Sequence, residues 1–479
     1  MEWTGWAYLA AEWTVRLVML PVAVRRRRPS SAMAWLLLIF LIPWLGLVAY
    51  LLVGRQRLGR ARCERARRAH EVVRRATEAH ASAREHTVHP HYSSRQADLV
   101  AVAEKIGQSP ILGGNALEGV ADTEEAIKRI IEDIDQATSH VHVLIYIYGD
   151  DRTGRRVGEA LMRAAARGVC CRVLVDAVGS KRMLRGLAPR LREGGVEVVA
   201  LLPVNLARLL LSRLDIRNHR KQVIIDGRTA WTGSQNIVDP DYGRKNAPQW
   251  RDLMLRVRGP AVLALQRVFL EDWYAETGRL LGDDEHGSIL PAPETPGESA
   301  VQVVPSGPHM LSRTLQDLYL AGIQEGERRI IITSPYFVPD EPVMAALRVA
   351  VMRGVRVDII VPAKTDNAIV NAASRAYFRE LVLSGANIHL HRDGLLHSKT
   401  MCVDDSFAMI GSSNFDIRSF DINFELNLLI FGPAVTTRLR ALQERYITES
   451  TLMTERDATT TTRVRRYAED FARLFSPLL

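Results

Sequence analysis

The sequence predicts an α/β protein: two tandem α/β/α lobes related by pseudo-twofold symmetry, preceded by a helical membrane hairpin. Three observations carry that expectation. Strand-like and helix-like stretches alternate from about Ser109 onward, a set of polar residues recurs at one fixed spacing, and the N-terminus holds two long apolar stretches.

The alternation sets the fold class. His140 to Tyr148 reads as a strand, Gly154 to Arg167 has helical spacing, and Gly168 to Asp176 is a second strand. A helix around Met183 to Arg192 and a strand from Val196 to Leu202 follow. The pattern then returns, with strands at Arg329 to Phe337 and Gly354 to Pro362 and helices at Glu341 to Arg353 and Asn367 to Ser384. Strands separated by helices of this length imply a largely parallel sheet covered by helices. The expected organisation is two membrane segments (1–54), a juxtamembrane helical linker (55–108), a first lobe (109–281), a linker rich in Gly, Pro, Asp and Glu (282–299), and a second lobe (300–479).

Ala32 to Val53 carries no charge over twenty-two residues, enough to cross a bilayer as a helix. Trp3 to Val24 is also apolar apart from Glu12 and Arg16, which lie four apart and can pair on one helix face. The basic cluster Arg25 to Arg28 follows the first stretch instead of preceding it, which argues against a cleaved signal peptide. A denser cluster after the second stretch (Arg55, Arg57, Arg60, Arg62, Arg65, Arg67, Arg68) favours a cytoplasmic C-terminal bulk. With two full spans one cluster faces the wrong side; a shallow segment bent at Pro43 and Gly46 removes the conflict. The linker from Arg55 to about His86 reads equally as a helix on anionic headgroups or as a solvated connector.

Composition sets bounds. A chain of 479 residues suggests two or three units, and an apolar fraction of 47% excludes global disorder. The net charge of +9 points to an anionic partner, nucleic acid or a membrane surface. Cys63, Cys170, Cys171 and Cys402 have no metal-ligand spacing.

The recurring set carries the chemistry. His219, Lys221, Asp226, Gly233, Ser234 and Asn236 each meet an identical residue 178 positions later: His397, Lys399, Asp404, Gly411, Ser412 and Asn414. Two of only seven lysines fall in it, so internal duplication accounts for the pattern better than chance. Residues two apart on a strand share a face, so each His projects with its Lys. Folded about a pseudo-twofold axis, the halves supply two His, two Lys and two Asn to one cationic, donor-rich pocket fitted to a phosphodiester. Asp226 and Asp404 stand two ways, as catalytic members of the motif or as strand-end residues that fix turns.

His-x-Lys-x4-Asp, twice, each time followed by Gly-Ser-x-Asn, resembles the duplicated signature of the phospholipase D superfamily. Within it the chain is most similar to bacterial cardiolipin synthases, on Arg217-Asn218-His219-Arg220-Lys221, Ser334 to Pro339, Ile417-Arg418-Ser419-Phe420, Asn423-Phe424-Glu425 and the closing Ser476 to Leu479. The resemblance implies two phospholipase D-like lobes and transfer through a covalent phosphohistidine, with His219 as nucleophile and His397 as acid/base. Lys221, Lys399, Asn236 and Asn414, with Ser234 and Ser412, would hold the phosphate, so no metal and no cofactor are expected. Each His needs an acidic partner to orient it. Glu425, twenty-eight residues after His397, resembles the family's orienting carboxylate, and Asp252 is the candidate for the first half.

The implied reaction joins two phosphatidylglycerol molecules into cardiolipin and glycerol, in a bacterial cell membrane, multi-pass, with the lobes cytoplasmic. Another phosphatidyltransferase or a phospholipase differs only in acceptor. A nuclease uses the same apparatus, but the membrane segments and the lack of an aromatic stacking run oppose it, so no nucleic-acid partner is expected. A silent membrane scaffold conflicts with two intact motifs. No feature sets an oligomeric state. Asn205 to Leu214 reads as an interfacial dip or an ordinary helix, and the amphipathic stretch Tyr467 to Leu479 is expected to pack on the core, membrane contact being its alternative.

Overall fold

The structure, a computed structural model, describes residues 2–25, 29–54, 60–78, 85–89, 94–106, 109–203, 215–243, 248–283, 287–310 and 313–476. The chain divides into two compact units, one of residues 1–64 with 204–216, the other of residues 65–203 with 217–479. The stretch Asn205 to Leu214 lies outside the described residues, as do Arg26 to Arg28, Arg55, Arg57 and the last three positions.

In the smaller unit, Glu2–Val24 is one helix, and Trp3–Val24 is the one described helix long and apolar enough to cross a membrane. The expected pairing of Glu12 with Arg16 is present at 3.2 Å. The second apolar stretch is not one span, which corrects the expectation of two. It breaks at Ile42 into helices Pro29–Leu41 and Pro43–Ala49, followed by a π turn at Tyr50–Gly54. Pro43 explains the break: it has no amide to donate, and its ring disfavours helical backbone at the preceding residue. Ile42 accordingly leaves the helical region, at φ −136° and ψ 79°. Met19, Ala23, Ile39 and Tyr50 form a small apolar cluster, and the Tyr50 hydroxyl donates to the Val22 carbonyl at 3.0 Å.

Among the described residues the larger unit holds nineteen strands in chain order: β1 Leu112–Val120, β2 His140–Ile145, β3 Cys170–Asp176, β4 Glu197–Leu201, β5 Gln222–Ile225, β6 Thr229–Gly233, β7 Trp250–Arg251, β8 Met254–Arg258, β9 Ser299–Ser306, β10 Arg329–Thr333, β11 Phe337–Val338, β12 Arg356–Pro362, β13 Asn387–His391, β14 Leu395–Leu396, β15 Thr400–Val403, β16 Phe407–Gly411, β17 Phe415–Asp416, β18 Glu425–Phe431 and β19 Ser450–Leu452. Fifteen form one sheet in the order β19-β13-β12-β10-β15-β16-β18-β9-β1-β8-β6-β5-β2-β3-β4. Read outward from the β9–β1 junction, the two sides match over seven strands each, and the β9 side adds one more, the antiparallel edge strand β19. The duplication seen in sequence is therefore a duplication of topology. The outer strands of each side run parallel and the inner ones antiparallel, so the sheet is mixed. That corrects the expectation of a largely parallel sheet: short hairpins β5–β6 and β15–β16 reverse the chain where a helical crossover would keep it parallel.

Each lobe buries its own core. In the first, Ile127, Ile130 and Ile134 of helix Thr123–Asp135 pack with Val143, Val157 and Leu161. In the second, Ile332, Leu347, Ile359 and Leu381 play the same part. Each such side chain contributes roughly 1.5–3 kcal/mol when removed from water. The 282–298 stretch contains no helix or strand among its described residues, and β9 begins at Ser299. The helix Arg60–Glu78 sets Ala69 and Val73 inward, Val73 in a cluster with Leu263, Leu270, Ile289 and Leu290, while Arg65, Arg67 and Arg68 stay exposed.

The C-terminal helix Arg463–Arg473 reverses the expectation of core packing. Its buried residues are Glu469 and Ala472, whereas Val464, Tyr467 and Phe471 are exposed. Glu469 faces inward because Arg379 meets it at 3.0 Å.

Candidate active site

His219 and His397 each sit just ahead of a buried strand, β5 and β15, whose apolar residues anchor it in the sheet. What positions each ring is the opposite lobe. The His219 amide donates to the Phe424 carbonyl at 2.8 Å, and the Phe424 amide returns a bond to Arg217 at 3.0 Å. On the other side β14 pairs in parallel with β7, and the His397 amide donates to the Arg251 carbonyl at 2.7 Å. Each motif loop is thus zipped to a strand from the other half.

This zipping exchanges the acidic partners. His397 Nδ1 lies 2.6 Å from Asp252 Oδ1, and His219 Nδ1 lies 3.2 Å from Glu425 Oε1. The sequence-based pairing, Glu425 with His397 and Asp252 with the first half, is corrected: both carboxylates cross. Ser234 donates to Asp252 at 2.7 Å and Ser412 to Glu425 at 2.6 Å. The two serines thus fix the carboxylates, a different placement from the phosphate contacts expected of them. Gly233 and Gly411 are needed here for close approach, not for turns, since a Cβ at either would strike a backbone carbonyl of the neighbouring strand.

Lys221 and Lys399 are buried beside their histidines, each donating to the carbonyl of its own His, at 2.6 and 2.5 Å. Burial pulls Lys221 down to about 8, with Glu425 and Asp252 opposing, and drives Lys399 well below the ordinary lysine range. Each lysine feels both carboxylates. Burial, then the Lys399 ammonium, brings His397 down to about 4 against the pull of Asp252. Burial alone would raise Asp252 and Glu425, but the histidine and lysine beside each hold them below the usual carboxylate range.

Asn236 and Asn414 differ. Asn236 accepts from the Ile147 amide at 3.1 Å and donates to the Tyr242 hydroxyl at 2.8 Å, whereas the Asn414 side-chain oxygen is buried without a hydrogen-bond partner among the described residues. Sequence reasoning missed the rings that flank the histidines. Tyr146 packs on His219 at 4.2 Å between centroids and Trp250 on His397 at 4.5 Å. Trp250 stands two residues before Asp252, a strand spacing that was available as a signal. Arg220 was also unassigned: buried, it binds Asp272 at 2.8 Å and the carbonyls of Glu425 and Ser306 at 3.2 and 3.0 Å, tying the lobes together.

Asp226 and Asp404 lie away from the rings, at the far ends of β5 and β15. Asp226 accepts from the amides of Thr138, Ser139 and His140, and Asp404 from those of Glu327, Arg328 and Arg329. Both adopt positive φ, 52° and 49°. Their place among the catalytic residues is therefore corrected: they anchor the loop entering the adjacent strand, at a hairpin turn that suits a short polar side chain.

A family description, "Cardiolipin synthase, PLD-like domain", matches residues 130–273 and 319–447, and "Phospholipase_D-nuclease N-terminal" matches residues 14–55. Cardiolipin synthase A of Edwardsiella ictaluri is 37% identical, over 99% of this chain and 97% of that one. The chain belongs to the cardiolipin synthase family of the phospholipase D superfamily. Cardiolipin synthase A of Escherichia coli (strain K12 / DH10B) is 36% identical over 99% of this chain and 98% of its own length. Among solved structures, phosphatidylserine synthase of Haemophilus influenzae Rd KW20 shares the fold, with a TM-score of 0.58 at 15% identity, covering 80% of this chain and 98% of that one. Membership in this family and the apolar N-terminal helix associate the protein with the membrane.

Proposed function

We propose that the protein transfers a phosphatidyl group from one phosphatidylglycerol to another, giving cardiolipin and glycerol. The supporting observation is the crossed pair of His–carboxylate contacts, one member of each pair from either lobe. With Nδ1 of each ring engaged by a carboxylate, Nε2 is the nitrogen left for chemistry. His219, with 19% of its side chain exposed against 8% for His397, suits the attacking role.

In this reading His219 Nε2 attacks phosphorus and the bond to the glycerol headgroup breaks, the leaving oxygen taking a proton from His397. His397, now neutral, accepts the proton of a hydroxyl on the second phosphatidylglycerol. That oxygen attacks phosphorus, the P–N bond breaks, and His219 is restored. Lys221 and Lys399 balance charge on the non-bridging oxygens, while the unpartnered Asn414 oxygen, an acceptor, suits a hydrogen bond from a substrate hydroxyl. An anionic phosphodiester beside both lysines counters the burial and the lysine repulsion that keep His397 neutral, so the proton His397 donates is taken up with the substrate.

For the membrane we propose one spanning helix, Trp3–Val24, with Pro29–Leu41 and Pro43–Ala49 as a shallow bent segment; the exposed arginines Arg65, Arg67 and Arg68 favour cytoplasmic lobes. The test of function is purified protein with labelled phosphatidylglycerol in bilayers. Cardiolipin and glycerol in equal amounts are expected; phosphatidic acid as sole product would replace the transferase by a hydrolase.

A further inference from the structure

The outward face of helix Arg463–Arg473 has no role in the proposed chemistry. Val464, Tyr467 and Phe471 are 81%, 73% and 63% exposed, and Leu474 and Phe475 continue the stripe beyond the helix end. At 100° per residue these five side chains fall within roughly a third of the helix circumference. An apolar stripe facing solvent costs free energy unless something covers it.

The opposite face is tied down by charge. Arg379 holds Glu469 at 3.0 Å and Asp470 at 2.5 Å, and Arg465 also reaches Glu469 at 3.1 Å. Arg473 packs over the Tyr377 ring at 4.4 Å and meets Glu380 at 3.1 Å. Both carboxylates of the helix are thereby spent on arginines. Arg463 and Arg466, beside the stripe, have no carboxylate partner among the described residues, and Arg466 donates only to the Thr459 carbonyl. The exposed surface of the helix is apolar in the middle and cationic at one edge. Its held side carries Glu469, Asp470 and Arg473, each already in an ion pair.

We propose that this helix is an interfacial element that lays Val464, Tyr467, Phe471 and Phe475 into an anionic phospholipid bilayer, with Arg463 and Arg466 at the phosphate level. Charge complementarity selects that occupant: a lipid surface offers hydrocarbon for the stripe and phosphate for the flanking arginines at the right depth. The helix is tied to the second lobe through Arg379, Glu380 and Tyr377, so its insertion would orient that lobe on the surface holding the phospholipid. The inference needs only membrane association, and not the identity of the acceptor.

The test uses the full-length chain in lipid nanodiscs, with Phe471→Cys carrying an environment-sensitive dye and Arg182→Cys as a solvent-facing reference; labelled parent protein is the blank for the native thiols. In phosphatidylglycerol discs the dye at 471 is expected to shift to the blue and to be quenched by a nitroxide on the lipid chains, while the reference does neither. Quenching at 471 should weaken severalfold in uncharged discs and in an Arg463→Ala/Arg466→Ala protein. An unshifted dye in phosphatidylglycerol discs overturns the proposal. So does a blue shift without lipid quenching, which would mean that protein covers the stripe. Neither readout depends on turnover, so failure of phosphatidyl transfer with quenching intact would count against the proposed reaction alone. A Val464→Ser/Tyr467→Ser/Phe471→Ser chain, with its thermal midpoint unchanged, should raise the apparent KM for bilayer substrate by about tenfold at constant kcat.

Discussion

The two half-sites descend from one repeat yet are built differently. His397 has a single short contact to Asp252 at 2.6 Å and is almost fully buried. His219 is more open, its carboxylate is at 3.2 Å, and the Asn423 amide approaches the same nitrogen at 3.3 Å. Between His and Lys the first motif has Arg220, a buried fork tying the lobes, where the second has the small Ser398. Duplication supplied equal parts, and packing has made them unequal. A tightly oriented, desolvated imidazole suits proton transfer, and a more accessible one suits attack on phosphorus.

The largest effect should come from the rings themselves. Alanine at either histidine should lower transfer by roughly 10^4-fold or more. Only His397→Ala should retain a covalent phosphoryl label from a good-leaving-group substrate, and a label retained by His219→Ala instead would invert the assignment. The carboxylates come next: Asp252→Asn should lower kcat by about a hundredfold and Glu425→Gln by about tenfold, because the Glu425 contact to His219, at 3.2 Å, is longer than the 2.6 Å contact of Asp252 to His397. Equal losses would erase the distinction between the half-sites.

A smaller effect separates the lysines. With Lys221 held near 8, activity should fall as pH rises through that value and its ammonium is lost. Lys221→Arg should be slower but should lose this alkaline limb, whereas a limb unmoved in that protein would assign it to another group. The same depression makes stability rise with pH between about 8 and 10.5, where the unfolded chain keeps a proton that the fold has released. The smallest effect on chemistry is expected at the turns. Asp226→Asn or Asp404→Asn should cost about 1–3 kcal/mol of stability by weakening three amide contacts, with kcat per folded molecule within about twofold. A large loss of kcat at an unchanged thermal midpoint would return these residues to the active site.

Much of this was legible in the chain. Hydrophobic alternation placed the strands and helices it named to within a few residues but left the antiparallel strands around the β9–β1 junction unread, and the constant 178-residue spacing disclosed the repeat with both His-Lys pairs. The exchange of Glu425 and Asp252 was not legible. Spacing along one chain suggested partners within a lobe, while the real pairing follows from β7 meeting β14 and from Asn218 bridging Phe424, contacts between distant residues. Counting uncharged residues from Ala32 to Val53 likewise measured length but not continuity, which Pro43 interrupts. The amphipathic pattern of Tyr467 to Leu479 identified a face without saying which way it looks; that depended on Arg379 capturing Glu469.

The crossed carboxylates also bear on how such a repeat can evolve. Because each histidine is aligned by a residue encoded in the other copy, neither copy can accumulate changes on its own without disabling its sibling. A repeat wired in this way is held to joint inheritance, and the linker between the copies can vary while their sequences remain bound to one another.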